Sequence, residues 1–223
     1  MVESTGKFKT LEDAQKHLTS GAKKVILSAP PEDDRIKTVV LGVNEGILDG
    51  TETVISNASC TTNNAAPMMK IINELCGIEQ AYITTVHSYT TDQSLHDQPH
   101  KDLRRARGAA QSIVPTTTGA AKALTKIFPE FVGKIGGGGI RVPVPDGSLT
   151  DITCYVRKEV SIEQINTAFK TAAEGNLNGY LAYTEDPIVS VDVIGVRSSC
   201  LFDAQLTSVI DKMVCLLYTS DAA

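Results

Sequence analysis

The sequence predicts an α/β segment followed by a larger α+β domain whose mainly antiparallel sheet is covered by helices. Two observations carry that prediction. Up to residue 58, short apolar and β-branched runs surround one helical pattern, which is typical of a parallel or mixed sheet with buried strands. From residue 59 onward, longer β-branched runs alternate with helical patterns and long connections. We therefore expect one domain over 1–58 and a second over 59–214.

The composition narrows the classes of function. The 223 residues carry a formal net charge of −5 and no sustained basic run, which argues against a nucleic acid or an anionic membrane as the main partner. The five cysteines form no Cys-x-x-Cys pair and, with the four histidines, show no zinc spacing, so no metal is expected. The chain shows neither a signal-peptide pattern nor an apolar run of membrane-spanning length. A reduced, cytoplasmic setting fits these features.

Local signals place the elements of the first segment. Thr10 is a candidate N-cap for a helix from Leu11 to about Leu18. Strands are predicted at 23–29, 37–43 and 53–55. No Gly-x-Gly-x-x-Gly follows a strand, and the glycines at 136–139 open no helix, so a nucleotide-binding loop of that kind is not found.

The second segment alternates strands, helices and one long connection. Strands are predicted at 80–89, 140–144, 149–157, 189–193 and 200–202, and helices at 118–127 and from the N-cap candidate Ser161 to about Ala173. Residues 91–107 form a polar, irregular segment that is too long for an ordinary connection, and such loops are usually functional or disordered.

Cys60 is the residue around which a site is predicted. It stands between the strand pattern at 53–55 and a helical pattern at 67–75, with Ser59 as the candidate N-cap. A thiol in the first turn of a helix faces unpaired N–H groups and the positive end of the helix dipole, which favour a reactive thiolate. The alternative is a small buried core residue, which is the commoner role of a cysteine.

A string of residues around Cys60 resembles that of a known family. It runs Ser56-Asn57-Ala58-Ser59-Cys60-Thr61-Thr62-Asn63 and is similar to the active-site signature of the phosphorylating glyceraldehyde-3-phosphate dehydrogenases. The similarity extends from Val2 to about Val214. It implies that residues 1–58 are the last part of a Rossmann-type NAD-binding domain and that a catalytic domain follows.

The resemblance also implies a role for each site residue. Cys60 corresponds to the nucleophile and His87 to the base. The residues that match the substrate-phosphate site are Thr90 and Arg141, those that match the inorganic-phosphate site are Ser59, Thr61, Thr118 and Gly119, and those that match cofactor contacts are Thr5 and Ser28. The long loop is expected to be shaped by Asp92, Gln93, Arg104, Arg105 and Arg107.

The implied chemistry is that of glycolysis. The Cys60 thiolate adds to the aldehyde of glyceraldehyde 3-phosphate, hydride passes to NAD, and inorganic phosphate attacks the thioester to give 1,3-bisphosphoglycerate. The family forms homotetramers. Three alternatives remain open: an erythrose-4-phosphate dehydrogenase, a truncated subunit without catalysis, and an acyl-transfer enzyme or esterase that uses Cys60 and His87 without redox chemistry.

The chain departs from the family pattern at three places. Asn64 stands where the family commonly has a second cysteine, so a possible disulfide partner is lost. The first half of the NAD-binding domain is not found, which predicts an N-terminally truncated chain. Residues 215–223 do not continue the family's C-terminal segment, and we expect them to be a tail foreign to the fold, with a natural short C-terminus as the alternative.

Overall fold

Strands and helices alternate through residues 1–221, which are the residues that the computed structural model describes. The strands are β1 Val2–Glu3, β2 Val25–Leu27, β3 Lys37–Thr38, β4 Val54–Ser56, β5 Ile78–Ser88, β6 Val114–Thr116, β7 Ile135–Val142, β8 Ser148–Val156, β9 Leu181–Thr184, β10 Cys200–Asp203, β11 Ser208–Ile210 and β12 Met213–Ser220. The helices are α1 Leu11–Thr19, α2 Cys60–Cys76, α3 Ala120–Ile127 and α4 Ile162–Glu174. The strands form two separate sheets.

The first sheet is small and entirely parallel. Its strand order is β1-β2-β4-β3, as the predicted α/β segment requires. Helix α1 begins after Thr10, whose side chain accepts a hydrogen bond from the Asp13 amide as expected for an N-cap. The helix buries Ala14 against Val25, Leu27 and neighbouring apolar side chains.

The second sheet has eight strands and is mainly antiparallel, which confirms the predicted α+β architecture. Its order is β6-β7-β5-β8-β12-β10-β9, with β11 paired to β12. Parallel pairing occurs between β5 and β7 and between β9 and β10. The parallel register of β5 with β7 places His87 opposite Arg141.

Helices α2, α3 and α4 cover one face of this sheet. Helix α2 is the most deeply buried of them, with Met68, Met69 and Ile72 at most 1% exposed. Helix α4 starts at a capping box in which Ser161 and Gln164 exchange side-chain and backbone hydrogen bonds, so the predicted cap is confirmed. Its Phe169 stacks on Phe202 of β10, with ring centroids 4.1 Å apart.

The glycine run at 136–139 lies in β7, where no strand was expected before residue 140. The Tyr82 ring covers Gly136 and Gly138 on one face, where an added Cβ would lie within 3.2 Å of the ring or its hydroxyl. On the other face, Gly137 lets α3 approach: a Cβ there would lie 3.3 Å from both Thr118 and Ala121. The run therefore serves strand-to-helix packing.

Two strand predictions are wrong in part or whole. Residues 39–43 lie beyond the end of β3, because the Asn44 side chain accepts the Val40 amide at 2.7 Å and the chain turns there. Residues 189–193 form a 3₁₀ turn at Ser190–Val193, in which the Asp192 carboxylate accepts the Val189 amide at 2.8 Å. In both places a side chain competes with a strand partner for the backbone donor.

The end of the chain continues the sheet where a foreign tail was expected. Strand β12 pairs with β8 along its whole length, from Met213 opposite Tyr155 to Ser220 opposite Ser148. Tyr218 is fully buried in the core. Residues 215–220 are thus part of the fold, while Ala222 and Ala223 lie outside the described residues. Among the described helices, none has the length and apolar character needed to cross a membrane.

Candidate active site

Cys60 lies at the corner between β4 and α2, as predicted. The Ser59 hydroxyl caps the helix by accepting the Thr62 amide at 3.2 Å. Cys60 is the first residue of the helix and its side chain is exposed. The early amides of a helix lack partners within the helix, so the thiol stands at a position that suits an anion.

His87 lies at the end of β5 with its ring directed at the thiol. The Cys60 Sγ and His87 Nε2 are 3.5 Å apart. The other ring nitrogen, Nδ1, lies 2.8 Å from the carbonyl oxygen of Ser88. Arg141 Nη1, which only donates, lies 2.8 Å from the same Nδ1. In the tautomer in which Nδ1 donates to the Ser88 carbonyl, the Nε2 lone pair faces Cys60.

The surroundings of His87 keep the ring neutral. Burial lowers the pKa of His87 below its ordinary value of 6.5, and the positive charges of Arg141 and Arg105 lower this pKa further. The hydrogen bond to the Ser88 carbonyl opposes this shift. A neutral imidazole beside a thiol can accept its proton at neutral pH.

Two arginines give the site its positive charge. Arg141 of β7 donates through Nη1 to the Ser88 carbonyl at 2.8 Å and forms no ion pair with a carboxylate of residues 1–221. Arg105 comes from the long loop and donates to Thr116 Oγ1 at 2.9 Å, while Asp92 pairs with its Nη1 at 2.5 Å. Burial and the nearby Arg105 charge lower the pKa of Arg141. A guanidinium without its own carboxylate is suited to an anionic ligand.

These groups surround one pocket of about 200 Å³. Seven of the eight residues predicted for catalysis and phosphate binding line it: Ser59, Cys60, Thr61, His87, Thr118, Gly119 and Arg141. Thr90 does not, because it lies beyond the end of β5, where its carbonyl accepts the Gln93 amide. The pocket therefore unites the corner at Cys60, the end of β5 and the start of α3.

Arg105 also lines this pocket, although it was predicted only to shape the long loop. It does both, since its contacts with Asp92 and Thr116 hold the loop against β6. A signal was present in the sequence, because three arginines lie within four positions of a polar loop in a chain of net negative charge. Which of the three turns inward depends on the path of the loop.

A larger cleft of about 690 Å³ adjoins Cys60 on the side of the small sheet. Of the two predicted cofactor contacts, Ser28 lines this cleft and Thr5 does not. The Thr5 amide and hydroxyl instead donate to the Glu3 carboxylate. The neighbouring Ser4 lines the cleft in its place.

The remaining cysteines differ from Cys60 in their exposure. Cys76, Cys154 and Cys200 are buried, and burial raises the pKa of each thiol. At the position of the family's second cysteine, the buried Asn64 donates to the Thr219 carbonyl at 3.1 Å and so joins α2 to β12. No group of histidine, cysteine and acidic residues among the described positions could hold a metal ion.

The fold and the pocket define a class of protein in which a cysteine and histidine pair lies beside two arginines. A family model described as the C-terminal domain of glyceraldehyde 3-phosphate dehydrogenase matches residues 59–219. The chain belongs to the glyceraldehyde 3-phosphate dehydrogenase family.

Relatives agree with this assignment. Glyceraldehyde-3-phosphate dehydrogenase 2 of Streptomyces avermitilis is 56% identical over 212 residues, which are 95% of this chain and 63% of that protein. The glyceraldehyde-3-phosphate dehydrogenase of Mycobacterium avium is 54% identical over 95% of this chain and 62% of that protein, and that of Geobacillus stearothermophilus is 55% identical over 96% and 64%. The chain thus spans less than two thirds of the length of these relatives.

Proposed function

We propose that the protein catalyses the NAD-dependent oxidative phosphorylation of D-glyceraldehyde 3-phosphate to 1,3-bisphosphoglycerate in glycolysis. The observation that carries this proposal is the 3.5 Å approach of Cys60 Sγ to the neutral His87 ring at a pocket with two arginines. The relatives named glyceraldehyde-3-phosphate dehydrogenase support it.

Cys60 acts as the nucleophile and His87 as the general base. The thiolate adds to the aldehyde carbon, and His87 accepts the proton from the resulting hemithioacetal hydroxyl as the C–H hydride is removed. NAD, when bound, supplies the hydride acceptor. The product is a thioester on Cys60, which inorganic phosphate attacks to release the acyl phosphate and restore the thiolate.

The anion-binding groups hold the two phosphates. Arg141 and Thr90 are assigned to the substrate phosphate, and Ser59, Thr61, Thr118 and Gly119 to inorganic phosphate. The start of α3 supports the second assignment, because Thr118, Gly119 and Ala120 line the pocket at the positive end of this helix, where the Thr118 hydroxyl accepts the Ala120 amide at 3.2 Å. Arg105, which lines the same pocket, adds positive charge for either anion.

The larger cleft is assigned to NAD. It shares Cys60 with the smaller pocket, so a cofactor there would lie beside the reacting carbon. Its polar lining of Ser4, Ser28, Asn57 and Asn63 suits a ligand rich in hydroxyl and amide groups. Ser28 is the predicted contact that this cleft supports, and Thr5 remains a prediction.

A cytoplasmic homotetramer is part of the same proposal. The face of the large sheet opposite the helices carries Tyr82 and Tyr155, each about half exposed at 53% and 52%. Aromatic side chains at that exposure suit contact with a second copy of the chain. Sedimentation of wild type and of Tyr82→Ser/Tyr155→Ser tests this: a smaller species is expected for the variant, and equal sizes contradict it.

The decisive experiment follows NADH absorbance for the purified chain with glyceraldehyde 3-phosphate, NAD and phosphate. We expect turnover that needs phosphate and is lost in Cys60→Ser. Replacing the aldehyde by erythrose 4-phosphate tests the related dehydrogenase, and an ester substrate without NAD tests acyl transfer. Absence of NADH formation in the wild type would contradict dehydrogenase activity of this chain.

A further inference from the structure

The corner that carries Cys60 contains a non-glycine residue in the left-handed region. Ala58 has a φ of 59° and is fully buried. A residue with a Cβ is uncommon in that region, so surrounding contacts must hold it there. Ala58 lies between the end of β4 and the N-cap Ser59, and the direction in which α2 leaves the sheet therefore depends on it.

Asn63 closes this corner from the side of the helix. Its Nδ2 donates to the Asn57 carbonyl at 2.7 Å and to the Ser59 carbonyl at 3.0 Å. These two carbonyls belong to the residues directly before and after Ala58. One carboxamide thus joins both sides of the left-handed position.

Ser56 closes the corner from the side of the sheet. Its hydroxyl donates to the Ala29 carbonyl at 2.8 Å and accepts the Ala58 amide at 3.0 Å. Of the two polar side chains, only Asn63 lies in the same helix as Cys60, one turn further on. Residues three apart lie on one side of a helix, and both Asn63 and Cys60 border the larger cleft.

We propose that Asn63 is a positioning residue that holds the corner at Ala58 and thereby directs Cys60 Sγ towards His87 Nε2. It acts through the backbone, and no bond between Asn63 and a substrate is involved. The inference rests on the proposed function only in taking Cys60 as the reactive thiol.

The test measures the second-order rate constant for alkylation of Cys60 by iodoacetamide across pH, in the full chain. We expect Asn63→Ala to lower this rate by at least about tenfold near neutral pH, since misplacement of a reacting atom by about 1 Å can cost ~100-fold. Its pH profile should also change, because the thiol no longer faces His87. Asn166→Ala is the matched control: this variant also loses two side-chain hydrogen bonds, in α4, and should react as the wild type does.

A second comparison uses Ala58→Gly, since glycine adopts a positive φ without steric cost. In that background the loss caused by Asn63→Ala should be several-fold smaller. If Asn63→Ala does not fold, Asn63→Ser replaces it, because a serine side chain is too short to join both carbonyls. The same loss of alkylation rate is expected.

A wild-type rate and pH profile in a folded Asn63 variant would overturn the proposal, as would an equal loss in both backgrounds. Alkylation needs neither NAD nor aldehyde. The alkylation test of Asn63 can therefore be interpreted even if the dehydrogenase assay shows no activity.

Discussion

At the scale of single residues, the carbonyl of Ser88 organises the site. Its oxygen accepts from Arg141 Nη1 at 2.8 Å and lies 2.8 Å from His87 Nδ1, and these two nitrogens are themselves 2.8 Å apart. These contacts fix the orientation of the ring, with Nε2 3.5 Å from Cys60 Sγ. The positive charges of Arg141 and Arg105 also disfavour protonation of the His87 ring.

The acid limb of activity should lie below the ordinary histidine value. Because burial and two arginines lower the pKa of His87 from 6.5, the midpoint at which kcat declines on the acid side is expected below pH 6.5. His87→Asn should lower kcat by about 10²- to 10⁴-fold. Steady-state kinetics across pH check this, with the exposed loop variant His96→Asn as control. A midpoint at or above 6.5 would contradict it.

The arginines should be sensitive to replacement by lysine, which keeps the charge but not the planar set of donors. Arg141→Lys and Arg105→Lys are each expected to raise the KM of glyceraldehyde 3-phosphate or phosphate by about 10- to 100-fold, the equivalent of about 1.5–3 kcal/mol for a hydrogen bond to a charged group. Arg104→Lys, exposed in the same loop, is the control. Unchanged KM values for both substrates would remove these residues from anion binding.

At the scale of elements, the helix caps and the glycine strand decide how helices meet the large sheet. The cap of α4 is local and comparatively exposed, whereas β7 meets α3 through backbone and small side chains. Loss of the α4 cap should therefore affect stability alone. A change in the packing of β7 on α3 should also affect the pocket.

Ser161→Ala removes one half of the capping box of α4. The unfolding free energy is expected to fall by about 1 kcal/mol, since an N-cap hydroxyl contributes about 0.5–2 kcal/mol. Urea denaturation measures the change, with the exposed Ser199→Ala as control. Equal stability of the two variants would mean that the box contributes little to the folded state.

Gly137→Ala should displace α3 from β7. The new Cβ would lie 3.1 Å from the Ile83 carbonyl and 3.3 Å from Thr118 and Ala121, so one of these must move. We expect a loss of about 1–3 kcal/mol in unfolding free energy, typical of overpacking, and a raised KM for phosphate. Gly46→Ala, with no atom within 4 Å, is the control. A Gly137→Ala variant that matches this control in both measurements would contradict the tight packing.

At the scale of the whole molecule, the candidate site depends on both sheets. The smaller pocket is lined by Pro30 as well as by residues of the large sheet, and the larger cleft has Ser28 on one side and Cys60 on the other. The Lys126 and Asp34 side chains, 2.8 Å apart, connect α3 with the segment after β2. Residues from both sheets therefore set the surroundings of the Cys60 thiol.

Burial of neutral His87 should make global stability depend on pH. Its pKa is lower in the folded chain than its ordinary value of 6.5, so below 6.5 the unfolded chain binds the proton more readily. This contribution is fully present above 6.5 and is lost as pH falls from 6.5 through the folded value. Denaturation of wild type and His87→Asn across this range measures it. If the wild type loses no more stability than the variant, the prediction fails.

The sequence by itself determined the features that depend on neighbours three or four residues away. The caps at Thr10, Ser59 and Ser161 are of this kind, since each side chain reaches an amide in the next turn. The position of Cys60 at a helix start and the family resemblance around it follow from the same local string. That string carries Ser59, Cys60 and Thr61 of the pocket, whereas His87, Thr118, Gly119 and Arg141 were predicted from the resemblance along the rest of the chain.

The tertiary structure alone decided the contacts between distant segments. His87 and Arg141 are 54 residues apart and meet because β5 and β7 pair in one parallel register. Arg105 enters the pocket because the loop folds back onto β6, a path that depends on Asp92 and Thr116. Strand pairing and loop paths are set by packing over the whole chain, and a local pattern does not contain that information.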